Sequence, residues 1–286
     1  MNLTIAHSPD ADDIFMYYAI AFGWVDTKDY KFENIALDIE TLNIKALENR
    51  YPVTAVSFAL YPKIRDDYAL LRTAVSFGYG YGPKLIKKKG KKLRPNLKLA
   101  LSGKNTTNAM LIRLRYPEAR IKYMNFLDIE KAVVNGEVDA GVLIHESILD
   151  FDDSLEVELE LWDWWLELAK EELPLPLGGM ALKRSLPLSR AIEIEDILIE
   201  GVEVANKRKV ELSKLLVEKN LVRIEDEMLD KYLNMYASNE SIELNNTQKM
   251  ALNKLFEIGY NYKEYDCIID VEDFLIPKEY KNWRNL

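Results

Sequence analysis

Two stretches of the sequence decide the predicted fold. The first is Leu99-Ala100-Leu101-Ser102-Gly103-Lys104-Asn105-Thr106-Thr107-Asn108, and the second is Gly136-Glu137-Val138-Asp139-Ala140-Gly141-Val142-Leu143-Ile144-His145-Glu146-Ser147. Each contains an apolar run of the length of a buried strand. The first run leads through a glycine turn to threonines that can begin a helix, whereas the second ends at a histidine. Because open α/β sheets bind ligands at the carboxyl ends of their strands, we expect both stretches to face one crevice.

Strands and helices alternate through the first half of the chain. The predicted strands cover residues 1–7, 35–39, 55–58, 70–77, 97–101, 119–123 and 138–144, and the predicted helices cover residues 14–22, 41–49, 107–115 and 126–135. This alternation is typical of βαβ units and predicts an α/β fold. Residues 189–262 differ, because their apolar positions recur at helical spacing and predict a helical C-terminal part.

Two breaks in this pattern bracket a central segment. Residues 84–94 are rich in lysine and predict a solvated turn between two strands. Residues 173–179, Leu-Pro-Leu-Pro-Leu-Gly-Gly, interrupt all periodicity and predict a linker. The simplest assembly is a two-lobed α/β protein with a double crossover and a ligand cleft between the lobes. Residues 1–88 and 175–286 then form the larger, discontinuous lobe, and residues 89–174 form the smaller lobe.

Composition limits the classes of partner. The 286 residues include 38 Lys and Arg against 47 Asp and Glu, which gives a net charge of −9. This balance argues against nucleic acid or an anionic membrane as the main partner, but it permits an anionic small molecule in a locally positive pocket. The single cysteine, Cys267, excludes a disulfide within the chain and is expected to be a packed thiol. Two histidines without clustered cysteines argue against a zinc site.

The N-terminal residues predict no export signal. No basic segment precedes the first apolar stretch, and Asp10, Asp12 and Asp13 follow early. The longest nearly uncharged apolar run, residues 14–25, is too short to span a bilayer, which needs about 20 residues. We therefore expect a cytoplasmic protein with no membrane partner, and the sequence leaves its oligomeric state open.

Residues 102–107 and His145 are the candidates for chemistry. A strand, a glycine turn and two threonines at a helix start supply free N–H groups, hydroxyls and the positive end of a helix dipole, which together bind a carboxylate or phosphate. Plain N-capping explains the same residues. A neutral imidazole at the end of a strand can accept a proton near physiological pH, although a histidine in this position can equally be structural.

Each of the other polar positions allows a structural and a functional interpretation. His7 ends the first strand and either caps the turn at Ser8-Pro9 or faces the cleft, and we favour the turn. Asp12 and Asp13 suit acid–base chemistry, but capping of the first helix accounts for them. Ser57 ends the third strand and can present its hydroxyl to the cleft, without the histidine and aspartate neighbours that mark a nucleophile.

The order of short motifs along the chain resembles one enzyme family. The motifs are Ser8-Pro9 with Asp13 and Phe15, Glu40-Thr41-Leu42-Asn43, Val56-Ser57 with Tyr61, Gly80-Tyr81-Gly82-Pro83, Gly103 with Thr106-Thr107, Gly136-Glu137-Val138-Asp139-Ala140-Gly141, Ile144-His145-Glu146-Ser147 and Leu175-Pro176-Leu177-Gly178. They resemble the 1,4-dihydroxy-6-naphthoate synthases of the futalosine route to menaquinone. The resemblance covers about residues 1–185 in detail, and its specific elements are Ile-His-Glu-Ser and Leu-Pro-Leu-Gly.

The resemblance implies a periplasmic-binding-protein type II fold that works as an intracellular lyase. Family members convert cyclic de-hypoxanthine futalosine to 1,4-dihydroxy-6-naphthoate without a metal or organic cofactor, and the sugar-derived remainder leaves. His145 is then the implied proton acceptor that starts ring opening and carbon–carbon cleavage. The implied substrate-binding residues are Ala55, Val56, Ser57, Thr106, Thr107 and Asn108.

The chain departs from the family pattern at two places, and two rival functions stay open. Asn105 stands where the family has the histidine of His-Thr-Thr, and residues 10–13 read Asp-Ala-Asp-Asp where the family has Cys-Pro-Asn-Asp. One rival is a chorismate dehydratase-like enzyme of the same fold, which normally carries Gly-Asp in place of His145-Glu146. The other is an intracellular protein that binds a small carboxylate without catalysis.

Overall fold

A computed structural model describes residues 1–224 and 226–279 as an α/β protein with two sheets. The larger sheet contains β1 (Asn2–His7), β2 (Lys31–Ala36), β3 (Val53–Ser57), β4 (Tyr68–Leu70), β5 (Ser76–Gly78) and β11 (Leu175–Lys183). The smaller sheet contains β6 (Lys84–Lys88), β7 (Lys98–Leu101), β8 (Arg120–Tyr123), β9 (Ala140–Leu143) and β10 (Leu155–Glu160).

Helices cover the sheets and form the C-terminal part. They are α1 (Ala11–Ala21), α2 (Ile39–Leu47), α3 (Thr107–Arg115), α4 (Phe126–Val134), α5 (Leu161–Ala169), α6 (Leu188–Lys207), α7 (Lys209–Glu218), α8 (Asp226–Tyr236) and α9 (Asn246–Asn261). The predicted helix at residues 107–115 agrees with α3 residue by residue. No helix within the described residues is long and apolar enough to cross a membrane.

The strand order aligns the ends of the strands that carry the candidate residues. The larger sheet runs β2-β1-β3-β11-β4, with β5 paired to β11, and the smaller sheet runs β10-β6-β9-β7-β8. β1 is parallel to β2 and β3, and β7 is parallel to β8 and β9. Parallel neighbours end at the same edge of a sheet, so the residues after β7 and after β9 emerge side by side.

The chain crosses between the two sheets twice, which confirms the predicted two-lobed fold. It leaves the larger sheet after β5 and returns to it at β11. The lobe boundaries expected from the sequence stay a prediction. They assign residues 84–88 to the larger lobe. The structure pairs these residues, as β6, with β9 and β10 of the smaller sheet.

The prediction of one strand over residues 70–77 is wrong. β4 ends at Leu70, β5 begins at Ser76, and Ala74 between them adopts a positive φ of 53°. Arg72 lies in this interruption, where its N–H donates to Oε1 of Glu195 at 2.8 Å instead of to a neighbouring strand, and its buried guanidinium pairs with the same carboxylate. Burial of Glu195 raises the pKa of its carboxyl to about 7. An apolar pattern cannot show that a charged residue within it is buried with a partner far along the chain.

The two segments expected to be a turn and a linker are partly strands. Lys84–Lys88 forms β6, where Nζ of Lys87 lies 2.6 Å from Oε2 of Glu158 on the antiparallel strand β10. Leu175–Lys183 forms β11, which pairs with β3, β4 and β5. The register shifts between Pro176 and Gly178, and a β-bulge of this kind accommodates proline within a sheet.

Candidate active site

A cleft between the two sheets holds about 750 Å³ of atom-free space, part of it open to solvent. All seven residues that the resemblance implies for catalysis or binding line it. They are Ala55, Val56, Ser57, Thr106, Thr107, Asn108 and His145. The structure therefore brings the predicted set together at one place, and the role of each residue stays a prediction.

A buried asparagine, Asn43, holds Ser57 in place at the end of β3. Nδ2 of Asn43 donates to Oγ of Ser57 at 3.0 Å, and Oδ1 of Asn43 accepts from the N–H of Ser57 at 2.9 Å. Asn43 is fully buried on α2. Because its N–H is satisfied by Asn43, Ser57 can bind a ligand through its hydroxyl, which keeps its proton and one lone pair.

We expect Asn43→Ala to destabilise the protein by about 1–3 kcal/mol, because it leaves the buried N–H of Ser57 without an acceptor. Urea unfolding measures this loss. Ser57→Ala is the comparison variant, since it keeps the N–H bond to Asn43 and removes only the bond from Nδ2 of Asn43 to the hydroxyl, so the difference between the two variants reports the N–H bond. An unfolding free energy of Asn43→Ala equal to that of the wild type contradicts this account.

The start of α3 forms a polar wall of the cleft. Oγ1 of Thr106 caps the helix by accepting from the N–H of Ala109 at 3.2 Å, so the capping reading of this residue is confirmed. Oγ1 of Thr107 accepts from the N–H of Ala59 at 3.2 Å and donates to the carbonyl of Leu177 at 3.0 Å. The first N–H groups of a helix have no partner within it, so those of Thr107 and Asn108 can receive an anion.

Asn105 lies beside this wall and holds the two lobes together. Its Nδ2 donates to Oε1 of Glu40 at 2.9 Å, and its N–H donates to Oε2 of the same carboxylate at 3.0 Å. Gly103 makes room for this contact, because a Cβ there would lie 2.3 Å from the Glu40 side chain. Asn105 is not among the described residues that line the cleft. Its departure from the family pattern therefore changes a contact between the lobes and not the surface of the cleft.

His145 follows β9 and enters the cleft from the smaller lobe. It begins a short 3₁₀ helix, His145–Ile148, with a positive φ of 53°, which is uncommon for a residue other than glycine. Its ring packs edge-on against Phe126 at a centroid distance of 5.1 Å. Nε2 lies 3.0 Å from Oδ2 of Asp10, in an ionic contact whose angle is not that of a hydrogen bond.

Carboxylates surround His145 and keep it charged. Burial lowers the pKa of the imidazole, but the charges of Asp10, Asp12 and Glu146 outweigh burial and raise it to about 9. The histidine is therefore an imidazolium at neutral pH in the unliganded protein. It can accept a proton only after it has released this one.

Asp12 and Asp13 of α1 also line the cleft. Oδ2 of Asp13 accepts from the N–H of Ser8 at 2.8 Å, whereas Oδ1 of Asp12 accepts from the hydroxyl of Tyr232 at 3.1 Å. Burial and the neighbouring charge of Asp13 raise the pKa of Asp12 to about 8, and burial raises that of Asp13 to about 6. Capping therefore does not account for Asp12, which is a proton-carrying group that faces the cleft.

His7 contacts the turn rather than the cleft. Its Nδ1 lies 2.7 Å from the carbonyl oxygen of Ser8, and its ring packs against Tyr17 at 5.2 Å. It lines a separate small cavity of mainly apolar surroundings. Burial lowers the pKa of the imidazole, so His7 is neutral at physiological pH.

Sequence reasoning missed several residues that line the cleft. They are Ser8, Ile39, Ala74, Ser76, Pro83, Ile144, Leu177, Gly178, Gly179, Tyr232 and Tyr236. Ser102, which belongs to the predicted candidates at residues 102–107, lines the cleft as well. Oγ of Ser102 is buried without a hydrogen-bond partner among the described residues, so it is free to bind a ligand. The two tyrosines stand four residues apart on α8 and so share one helix face, which is the one signal in the sequence that could have paired them. Within the described part of the chain, no group of three or more His, Cys, Asp or Glu side chains could hold a metal ion.

Comparisons with known proteins point to one family. The model of the family described as "Menaquinone biosynthesis" matches residues 3–261. A protein of Thermus thermophilus named 1,4-dihydroxy-6-naphtoate synthase is 30% identical over 265 residues, which cover 89% of this chain and 92% of that protein. A protein of Streptomyces coelicolor with the same name is 27% identical over 250 residues, 85% of this chain and 87% of that protein.

Solved structures support the fold. The crystal structure of protein AF1704 from Archaeoglobus fulgidus is 34% identical, covers 92% of this chain and 98% of its own, and superposes with a TM-score of 0.85. The periplasmic aliphatic sulphonate binding protein SsuA from Escherichia coli is 10% identical with a TM-score of 0.66, covering 98% of this chain and 94% of its own. The second likeness shows the fold alone, which is that of periplasmic binding proteins.

Proposed function

Because the chain belongs to the menaquinone biosynthesis family, we propose that it is a carbon–carbon lyase that converts cyclic de-hypoxanthine futalosine to 1,4-dihydroxy-6-naphthoate. The two relatives named for formation of this product support the proposal, since they match along 85–89% of this chain. The observation that carries it is the position of His145, which lines the same cleft as the start of α3.

The start of α3 is suited to the aromatic carboxylate of this substrate. Its N–H groups at Thr107 and Asn108 and the positive end of the helix dipole favour an anion. Ser57 on the larger lobe and Ser102 on the smaller lobe supply hydroxyls to the same cleft. We therefore infer that the carboxylate binds at α3 and that the reacting part of the substrate extends toward His145.

His145 is the proposed proton acceptor. The neutral imidazole takes a proton from the substrate, and this starts ring opening and carbon–carbon cleavage, after which the sugar-derived remainder leaves. Asp12, which carries a proton at neutral pH, is placed in the same cleft and can exchange protons with the substrate or with His145. No cofactor enters this proposal, and a cytoplasmic location stays a prediction.

Incubation of the purified protein with cyclic de-hypoxanthine futalosine tests the proposal, with chromatography to detect 1,4-dihydroxy-6-naphthoate. Chorismate is tested in parallel, because a chorismate dehydratase-like enzyme is the rival activity. The fold shared with SsuA keeps a third candidate open, a protein that binds a small carboxylate, and calorimetry would detect binding without turnover. If no naphthoate product forms, the proposed activity is wrong.

A further inference from the structure

Asp10 occupies the N-cap position of α1 but does not cap the helix. Aspartate at this position usually accepts a hydrogen bond from the second or third N–H of the helix. Here the side chain of Asp10 makes no such bond. Oε1 of Glu146, from the other lobe, instead accepts from the N–H of Ala11 at 3.1 Å. The carboxylate of Asp10 is therefore directed elsewhere.

Three groups hold the carboxylate of Asp10. The hydroxyl of Ser8 donates to Oδ2, and Nη2 of Arg223 pairs with Oδ1. Nε2 of His145 lies 3.0 Å from Oδ2. Asp10 is almost fully buried, with 1% of its surface exposed, so the carboxylate itself is shielded from solvent in each of these contacts. Burial raises the pKa of the carboxyl, but His145, Ser8 and Arg223 outweigh burial and lower it.

The remaining contacts of His145 and Arg223 complete this arrangement. Arg223 also lies 3.5 Å from Oε2 of Glu146, and its guanidinium carbon stands 5.1 Å from the centre of the Phe126 ring. The edge-on contact of His145 with Phe126 places that ring beside both cations. Charged or titratable groups face His145 from α1, from its own 3₁₀ helix and from the segment before α8. The groups that act on His145 directly are Asp10, Asp12, Asp13 and Glu146, and Arg223 reaches it through its contacts with Asp10 and Glu146.

We propose that Asp10 is a positioning residue for His145, held in place by Ser8 and Arg223, and that it orients the imidazole and sets its charge without touching the substrate. This inference rests on the proposed function of His145 as a proton acceptor. Ser8, Asp12 and Asp13 are among the described residues that line the cleft, whereas Asp10 is not. Asp10 therefore acts through the histidine. It does so by an ionic contact with Nε2, and not by the hydrogen bond with which a buried carboxylate orients the imidazole of a Ser-His-Asp triad.

The first test measures the titration of His145 without any substrate. The chain has two histidines, so NMR of histidine-labelled protein resolves both, and His145→Asn assigns the signals. We expect Asp10→Asn to lower the pH at which His145 titrates by at least one unit. Asp66→Asn is the control, because its side chain is 89% exposed and it lies outside the cleft. An unchanged titration of His145 in Asp10→Asn overturns the proposal.

Arg223→Gln provides a second variant that remains informative if Asp10→Asn does not fold. The Arg223 side chain is 35% exposed, and its removal leaves Asp10 with His145 as its cationic partner. We expect His145 then to titrate at a higher pH than in the wild type, which is the opposite of the Asp10→Asn result. A lower or unchanged pH in Arg223→Gln contradicts the proposed arrangement.

Kinetics with cyclic de-hypoxanthine futalosine give the third readout. In Asp10→Asn we expect kcat at its plateau to fall by about tenfold to a hundredfold, because a misplaced base reacts slowly, while KM stays within about threefold. The rising limb of the pH profile should move to lower pH together with the NMR titration. If the wild type forms no naphthoate while the NMR shift occurs, the proposed function fails and the link between Asp10 and His145 stands.

Discussion

Replacement of His145 by asparagine should lower kcat by about 10²- to 10⁴-fold, the usual contribution of a general base. Asparagine is the appropriate substitute because it tolerates the positive φ of 53° at this position better than most residues and cannot accept the proton. The substitution leaves the polar wall at the start of α3 unchanged, so the dissociation constant of the substrate should change by less than about threefold. Single-turnover kinetics and calorimetry separate the two quantities.

His7→Asn is the matched control for this substitution. It removes the other histidine of the chain, which contacts Ser8 and lies outside the residues that line the cleft. Its kcat should stay close to that of the wild type once circular dichroism has shown that it folds. Turnover by His145→Asn at the rate of the wild type would exclude His145 as the proton acceptor.

The pH dependence of kcat/KM should rise through the alkaline range. The proton acceptor must be neutral, and the neighbouring carboxylates raise the pKa of His145 to about 9. Below that value each pH unit lowers the neutral fraction about tenfold, so kcat/KM should be about 100-fold higher at pH 8 than at pH 6. Steady-state kinetics across pH 5.5 to 10 measure this. A profile with its midpoint near pH 6.5, the ordinary pKa of histidine, and a plateau about one pH unit above it would contradict this expectation.

The raised pKa of His145 also predicts how the stability of the protein depends on pH. Because the folded protein raises the pKa of His145, the ion pair contributes its full stability below about pH 6.5 and loses it as the pH rises through about 9. Asp12, whose pKa is raised to about 8, acts in the same direction, since the folded state favours its protonated form. The melting temperature should therefore fall between pH 6.5 and pH 9. His145→Asn should reduce this fall, and an equal fall in both proteins would contradict the assignment to His145.

Local patterns predicted part of the candidate site. Thr106 and Thr107 at a helix start and His145 after an apolar strand come from short-range signals, namely capping residues and strand length. The alternation of strands and helices predicted the α/β fold for the same reason. Errors occurred where the decisive partner is distant, as for Arg72, which pairs with Glu195 where a predicted strand is interrupted.

The sequence by itself determined the fold class and the double crossover, because hydrophobic periodicity acts over a few neighbouring positions. The set of seven expected site residues came from the resemblance to a family, and only His145 and the start of α3 were also indicated by local patterns. Only the tertiary structure decided the protonation of the site. The charged groups come from three places along the chain, namely Asp10 with Asp12, Glu146, and Arg223. The three carboxylates are buried, and their closeness to His145 and Arg223 makes the charges interact strongly. Electrostatic energy depends on distance through space and on exclusion of water, and neither can be read from the order of residues.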